Sequence, residues 1–354
     1  MNRSAVAFAL LSAALFGLST PAAKALLGDI SPALLAGVLY VGAGAGVAIL
    51  RRLPLPIART EAPLSRAEMP WLGGAVLAGG VVGPVLLMLG LTRTDAAAAS
   101  LLLTVEGAAT VLIAWFIFHE HFDRRIATGM ACLVAGAAIL SWSGQPSFET
   151  LIGPLAIIGA CAAWGLDNNL TRKVSLADPL QIVQIKGLVA GPINILVGLA
   201  AGGGLPNLLS LAVAGLVGFL GYGVSLALFV VALRHLGTAR TGAYFSTAPF
   251  VGAVASVIAF SEPVTLQLVA AGALMALGVW LHLSEHHEHE HVHEAVVHAH
   301  AHVHDEHHRH AHKADDPAGE PHTHMHEHGG LRHSHPHVPD MHHQHRHQKQ
   351  SGRT

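Results

Sequence analysis

The 354-residue chain is 52% hydrophobic and 12% charged, with a formal net charge of −2 and a mean hydropathy of +0.49. That balance excludes an ordinary water-soluble domain, gives no footing for a nucleic-acid partner, and points to repeated membrane spans. The chain is also uneven: Ala, Leu, Gly and Val dominate its first four-fifths, and all but three of its 28 histidines (His119, His121 and His235) fall from residue 282 onward.

A bilayer core takes about 20 mostly apolar residues per helix. In chain order such windows lie at 4–26, 32–50, 70–91, 95–118, 125–142, 151–171, 179–200, 208–233, 240–260 and 265–283. Without water to satisfy the backbone, helices are the form these runs take. The first window begins "MNRSAVAFALLSAALFGLSTPAAKA", with a basic start, an apolar middle and a small-residue end, so a removable signal peptide is its competing reading. The longest link, 51–69, carries Arg51, Arg52, Arg59 and Arg66 with Pro54, Pro56 and Pro63. With the N-terminus in the cytoplasm, the inner links hold these arginines together with Arg3, Arg124, Arg125, Arg172, Lys173, Arg234 and Arg240, against Arg93 and Lys24 outside. This bias predicts an inner-membrane protein with both termini cytoplasmic.

The ten windows form two sets of five. "FGLSTPAAK" from Phe16 aligns with "WGLDNNLTR" from Trp164, and Ser31-Pro32 with Asp178-Pro179. "EGAATVLIAWFIFHE" aligns with "APFVGAVASVIAFSE", which sets Glu106 opposite Ala248, Gly107 opposite Pro249 and Glu120 opposite Glu262. Five helices is an odd number, so the second copy enters the membrane upside down. Inverted repeats are typical of secondary carriers, with the site near the midplane between the halves. The predicted fold is therefore an all-α membrane protein of ten helices: a first repeat over 1–142, a second over 143–283, and a histidine-rich tail over 284–354.

These paired motifs resemble the drug/metabolite transporter superfamily, specifically its EamA-type members, across about residues 4–283. The resemblance implies two five-helix halves and transport rather than catalysis. The Glu-Pro pair usual in the family's fourth helix is divided here between Glu106-Gly107 and Ala248-Pro249, and the tail lies outside the pattern.

Polar residues inside the windows are the candidate site. Glu106 lies near the centre of the fourth; a charged carboxyl there costs roughly 2.5–3.5 kcal/mol on insertion scales, so it must face a partner, the interior or water. It suits a group that alternately takes up and releases a proton, and equally a neutral structural Glu at a helix break beside Gly107. In "GLDNNLTRK", Asp167, Asn168 and Asn169 fall in the cytoplasmic third of the sixth helix, at a depth close to that of Lys186 in the seventh. Asp167 and Lys186 are natural partners, and Asn194 follows about two turns after Lys186. Together they can line a polar cavity, or Asp167 and Lys186 can form a structural pair with Lys186 reaching to the inner surface. Tyr40, Tyr222 and Tyr244 fit substrate contact or interfacial anchoring. The glycine clusters fit close helix packing, and none carries the Lys-Ser/Thr ending of a nucleotide loop. "FHEHF" at 118–122 lacks the zinc-protease spacing, because position 123 is Asp; a helix end is its better account. Cys132 and Cys161 read as small core residues. No catalytic triad signature appears, so no enzyme is expected.

The tail is poor in apolar residues and is expected to be without regular structure. His286, His287, His289, His291, His293, His298, His300, His302 and His304, interleaved with Glu and Asp, are its densest ligand run. Neutral imidazole ligates Ni, Co and Zn, so several exchangeable metal sites are expected there, with no cofactor required by the membrane part. The reading is a carrier that exports a small polar metabolite or drug-like solute by alternating access, coupled to protons. The alternatives are a divalent-metal (Ni, Co, Zn) exporter and a membrane-tethered metal buffer or sensor. Its partners are a small-molecule substrate, the lipid bilayer and metal ions at the tail. Topology reporters test the layout: fusions at Thr354 and within 51–69 should report cytoplasm and one at Gln145 the outer side, whereas an outer signal at Thr354 contradicts ten spans.

Overall fold

The computed structural model describes residues 3–53, 64–118, 124–142, 148–174, 178–236 and 238–283, and within the tail 287–292, 296–302, 322–328 and 332–337. Its first half is α1 (Arg3–Leu26), α2 (Pro32–Leu50), α3 (Met69–Ala75), α4 (Gly83–Leu91), α5 (Ala96–Leu102), α6 (Val105–Phe116) and α7 (Arg124–Ser141). The second half is α8 (Phe148–Arg172), α9 (Pro179–Ala200), α10 (Leu208–Gly218), α11 (Ser225–Leu236), α12 (Thr238–Phe245), α13 (Ala248–Phe260) and α14 (Leu266–Leu283). Joined end to end these make nine helical runs long and apolar enough to cross a membrane among the described residues, with Leu266–His282 a shorter tenth.

Several starts follow from local chemistry. Pro32 and Pro179 open α2 and α9, where the missing N–H costs nothing. Asp178 caps α9 by accepting from the Leu180 N–H at 2.9 Å, and Asn207 caps α10 by accepting from Ser210 at 2.8 Å.

Four windows expected as unbroken helices are interrupted, at matching places in the two halves. The third span turns π-helical over Val76–Val82, and the eighth over Phe219–Val224. Pro84 explains the first. Its ring displaces the carbonyl four residues back, at Gly80, and widens the preceding turn. The fourth span breaks between α5 and α6 and the ninth between α12 and α13. In the ninth, Pro249 lacks an N–H, and Ser246 and Thr247 donate their hydroxyls back to Ala243 and Tyr244 carbonyls at 2.7 Å. In the fourth, Gly107 occupies the matching place, and Thr104 donates to the Leu101 carbonyl at 2.8 Å. Side-chain hydroxyls thus compete with the helical ladder at both breaks.

The two inverted five-helix repeats interlock rather than sit side by side. α2 packs along α9, α7 along α14, and α5 along α13, while α1 lies against α11 and α13 as α8 lies against α4 and α6. Glycines bring backbones together at the first of these seams: a Cβ on Gly44 would stand 2.8 Å from the Leu188 nitrogen and 2.9 Å from the Gly187 Cα. At the α1–α11 crossing, Ser12 and Ser225 exchange hydroxyl bonds to each other's carbonyls at 2.7 and 2.9 Å. The apolar core runs through both halves, with Leu34, Leu35, Leu39, Leu102, Ile157 and Met275 fully buried.

Among the described residues of the tail, four short segments are extended and pair. β1 (His287–Val292) pairs antiparallel with β4 (Arg332–His337), and β2 (Val296–His302) with β3 (His322–His328). The physical reason lies in the sequence. "HEHEHV", "VVHAHAH" and "HTHMHEH" alternate with a period of two, the strand period, which a reading by composition passes over.

Candidate functional site

Glu106 lies in the first turn of α6, immediately after the break in the fourth span. The break places an acidic group at a helix N-terminus, where backbone N–H groups favour negative charge. Asn168 on α8 donates its amide to the Glu106 Oε1 at 2.9 Å and to the Thr110 Oγ1 at 3.2 Å. Thr110, one turn further along α6, donates its hydroxyl to the Glu106 carbonyl at 2.8 Å. Glu106 is half-buried, and Asn168 is exposed to a cavity of about 480 Å³ lined by Glu106, Gly107, Thr110, Val111, Ile126, Asn168, Gly242 and His282. These come from α6, α7, α8, α12 and α14, so both repeats contribute. Ile126, Gly242 and His282 sit near the helix ends that also carry Arg124, Arg125, Arg172 and Arg240. The cavity therefore reaches from the mid-bundle Glu106 to the arginine-rich end.

His282 closes one wall. Its Nε2 lies 3.2 Å from the Ile126 carbonyl, an atom that can only accept, so this ring nitrogen is the donor. Its Nδ1 faces Gly107, 4.0 Å from where a Cβ would stand on that residue.

Asp167 and Lys186 form a separate cluster, outside the cavity lining. Lys186 Nζ lies 2.5 Å from Asp167 Oδ1 and 3.0 Å from Thr171 Oγ1, and Thr171 donates to the same Asp167 oxygen at 2.8 Å. Only 15% and 11% of the Lys186 and Asp167 side chains is exposed. The pair is wedged against the π-helical turn of the third span, where a Cβ on Gly79 would overlap the Asp167 carboxylate. The same turn holds Asn194, whose amide donates to the Gly80 carbonyl at 2.9 Å. Tyr40 and Trp164 both donate to the Gly79 carbonyl, at 2.7 and 2.9 Å. Asn169 donates to the backbone carbonyls of Gly165 and Thr110 at 2.8 and 3.0 Å.

The six residues singled out in the sequence thus divide by role. Glu106 and Asn168 meet at the cavity; Asp167 and Lys186 meet each other; Asn169 and Asn194 hold backbone. Sequence reasoning missed Thr110, Gly242 and His282. Thr110 was findable, since it stands four residues after Glu106 on one helix face. Gly242 and His282 come from distant helices and carry no local signal. Of the tail candidates, His287, His289 and His291 lie on β1 and His298, His300 and His302 on β2, while His286, His293 and His304 fall outside the described residues, as does Glu120 of the fourth window. Among the described residues no group of three His, Cys, Asp or Glu side chains is placed to hold a metal ion.

The ion pair makes its own prediction. Asp167→Ala or Lys186→Ala leaves one charge buried without its partner and should destabilise the protein by about 3–5 kcal/mol, while the double substitution costs less than the sum of the two. Thermal melting in detergent checks this; additive losses contradict a coupled pair.

Comparison with known proteins agrees with this architecture. Residues 3–142 and 151–284 each match the EamA-like transporter family. A protein of Methanothermobacter thermautotrophicus named "Uncharacterized transporter" is 28% identical over 283 residues, covering 75% of this chain and 82% of its own. A solved crystal structure shares the fold, with a TM-score of 0.56 at 18% identity over 80% of this chain and 96% of its own. Two matched repeats spanning the helical bundle, around a cavity that both build, make the chain a multi-pass membrane transporter belonging to the EamA-like transporter family.

Proposed function

We propose that the protein is a proton-coupled secondary carrier that moves a small polar solute out of the cell by alternating access. The observation that carries this reading is the lining of the cavity. Among the described residues Glu106 is the one carboxylate of the lining, Asn168 and Thr110 stand beside it, and no Lys or Arg belongs to it. A volume of about 480 Å³ suits a metabolite-sized molecule. Such a cavity favours a solute that presents an amine or another hydrogen-bond donor. The carboxylate can hold either that donor or a proton, so loading one releases the other, and Asn168 fixes the carboxylate's orientation while this happens. In this reading the arginine-rich end faces the cytoplasm of a bacterial-type inner membrane, which places both termini inside.

Divalent-metal export is the second reading, and one observation favours it. His282 presents a ring nitrogen towards Gly107, beside Glu106, and stands directly before the histidine-rich tail. An imidazole held by its other nitrogen on a backbone carbonyl is in the arrangement that suits a metal ligand. The tail itself we take to bind Ni, Co or Zn at several exchangeable sites.

Glu106→Gln tests the first reading. The amide keeps the size of the side chain and loses its titration. The variant should insert normally yet lose roughly tenfold or more in proton-driven transport in vesicles, as expected for removal of a charge-assisted contact. Unchanged proton-driven transport contradicts the coupling role. A chain truncated after Leu283 keeps His282 and tests the second. It should still transport its solute, while the tail peptide binds Ni, Co or Zn in calorimetry and loses binding between about pH 7.5 and 5.5 as imidazole protonates. Loss of all transport in a truncated chain that inserts normally would favour the metal reading instead.

A further inference from the structure

The fourth and ninth spans are broken at matching places, so each contributes one half-helix towards either end of the bundle. α5 and α13 pack together at the Arg93 end. At the arginine-rich end the cavity lies between α6 and α12, with Gly107, Thr110 and Val111 on one side and Gly242 on the other. The packed half-helices α5 and α13 and the cavity thus lie towards opposite ends of the bundle.

Side chains bridge the repeats at the Arg93 end: Gln267 donates to the Ile139 and Trp142 carbonyls, Ser210 donates to Asp29, and Glu262 is the one that ties α13 to α5. Glu262, just beyond α13, accepts hydrogen bonds on both carboxylate oxygens from the first two N–H groups of α5: from Ala96 at 2.7 Å and from Ala97 at 2.9 Å. The contact joins the second repeat to the first. It also requires an unusual backbone. Ser261, immediately before Glu262, has φ +52°, the only non-glycine among the described residues in the left-handed region. That conformation is strained for a residue with a Cβ and persists where the surroundings enforce it. Here it turns the chain so that Glu262 reaches α5.

The residue that would ordinarily cap α5 is present and idle. Asp95 has the extended N-cap backbone, φ −59° and ψ 144°, yet its side chain makes no capping bond and is exposed. Asp at this position is among the best N-caps. The α5 N-terminus therefore has two carboxylates within reach, and only the one from the other repeat is engaged.

We propose that Glu262 and Asp95 exchange on the α5 N-terminus, and that this exchange is the latch of the gate at the Arg93 end. With Glu262 seated, α5 and α13 are held together and the gate is shut. When the two helices part, Asp95 takes over the vacated N–H groups, so the open state does not leave them bare, and Ser261 is relieved of its strained conformation. The inference rests on the alternating-access reading but on neither the identity of the solute nor proton coupling.

Opposite effects of two carboxylate deletions test it. Spin labels at Thr92→Cys and Val264→Cys, both exposed near this end, report the separation of α5 and α13 by double electron–electron resonance. The full chain is used in lipid nanodiscs, with Cys132→Ala and Cys161→Ala as background. Glu262→Ala should raise the long-distance population roughly fivefold, the usual worth of an N-cap, and Asp95→Ala should lower it by a similar factor. Glu262→Gln, which retains one accepting oxygen, should fall between wild type and Glu262→Ala, and serves if the alanine variant fails to insert. No change in either Glu262 variant, or shifts of the same sign for Glu262→Ala and Asp95→Ala, overturns the latch. One unchanging distance in every protein, wild type included, overturns alternating access itself and the latch with it.

Discussion

The demand that every backbone polar group in a bilayer find a partner governs this structure more than any single contact. An unbroken helix meets the demand alone; a broken one cannot, and lipid offers nothing in place of the lost bond. This protein breaks or widens four of its spans: local Thr and Ser hydroxyls serve the breaks in the fourth and ninth, and side chains from elsewhere in the bundle serve the widened third. Around the π-helical turn of the third span, Tyr40, Trp164 and Asn194, from three other spans, donate to the carbonyls of Gly79 and Gly80. The repair is what ties the second, sixth and seventh spans to the third. Irregular backbone in a membrane is tolerated where protein or a water-lined cavity covers it, and both conditions occur here.

The polar residues sort accordingly. Asp167 and Lys186 neutralise each other beside the widened turn, with Thr171 completing the triangle. The space they fill exists because Gly79 has no side chain. That arrangement is a structural joint between α8, α9 and the third span. Glu106 belongs to the other kind of break. Its carboxylate accepts one amide bond from Asn168 and otherwise faces the cavity, so it is the charged group in the bundle best placed to exchange partners. The difference between the two carboxylates is one of neighbours: Asp167 has a lysine within bonding distance, and Glu106 has a cavity.

Much of this was legible in the chain. Apolar windows of bilayer length and the register of Phe16 with Trp164 and of Glu106 with Ala248 carry the ten-helix duplicated layout, because burial in lipid writes itself directly into composition. The breaks were not legible as breaks. Thr104-Val105 and Ser246-Thr247 sit inside runs whose hydropathy is continuous, and only the hydroxyl back-bonds and Pro249 betray them. Nor could the sequence separate the two polar clusters. Asp167, Asn168 and Asn169 are consecutive, yet successive residues on a helix point about 100° apart, so one meets Lys186, one meets Glu106 and one holds backbone. The alternation of histidine in the tail carried a strand period that composition alone does not register.

The central claim is that the Glu106 cavity opens to one side of the membrane in this structure and to the other when the bundle switches. Thr110→Cys, introduced beside Glu106 in a chain with Cys132 and Cys161 replaced, measures this most directly when a membrane-impermeant thiol reagent is applied to oriented vesicles from each face. Labelling is expected from the arginine-rich face in this conformation and from the Arg93 face once the carrier turns over, with protection from both by bound solute. Labelling from one face alone under every condition would contradict alternating access and leave the cavity a static cleft.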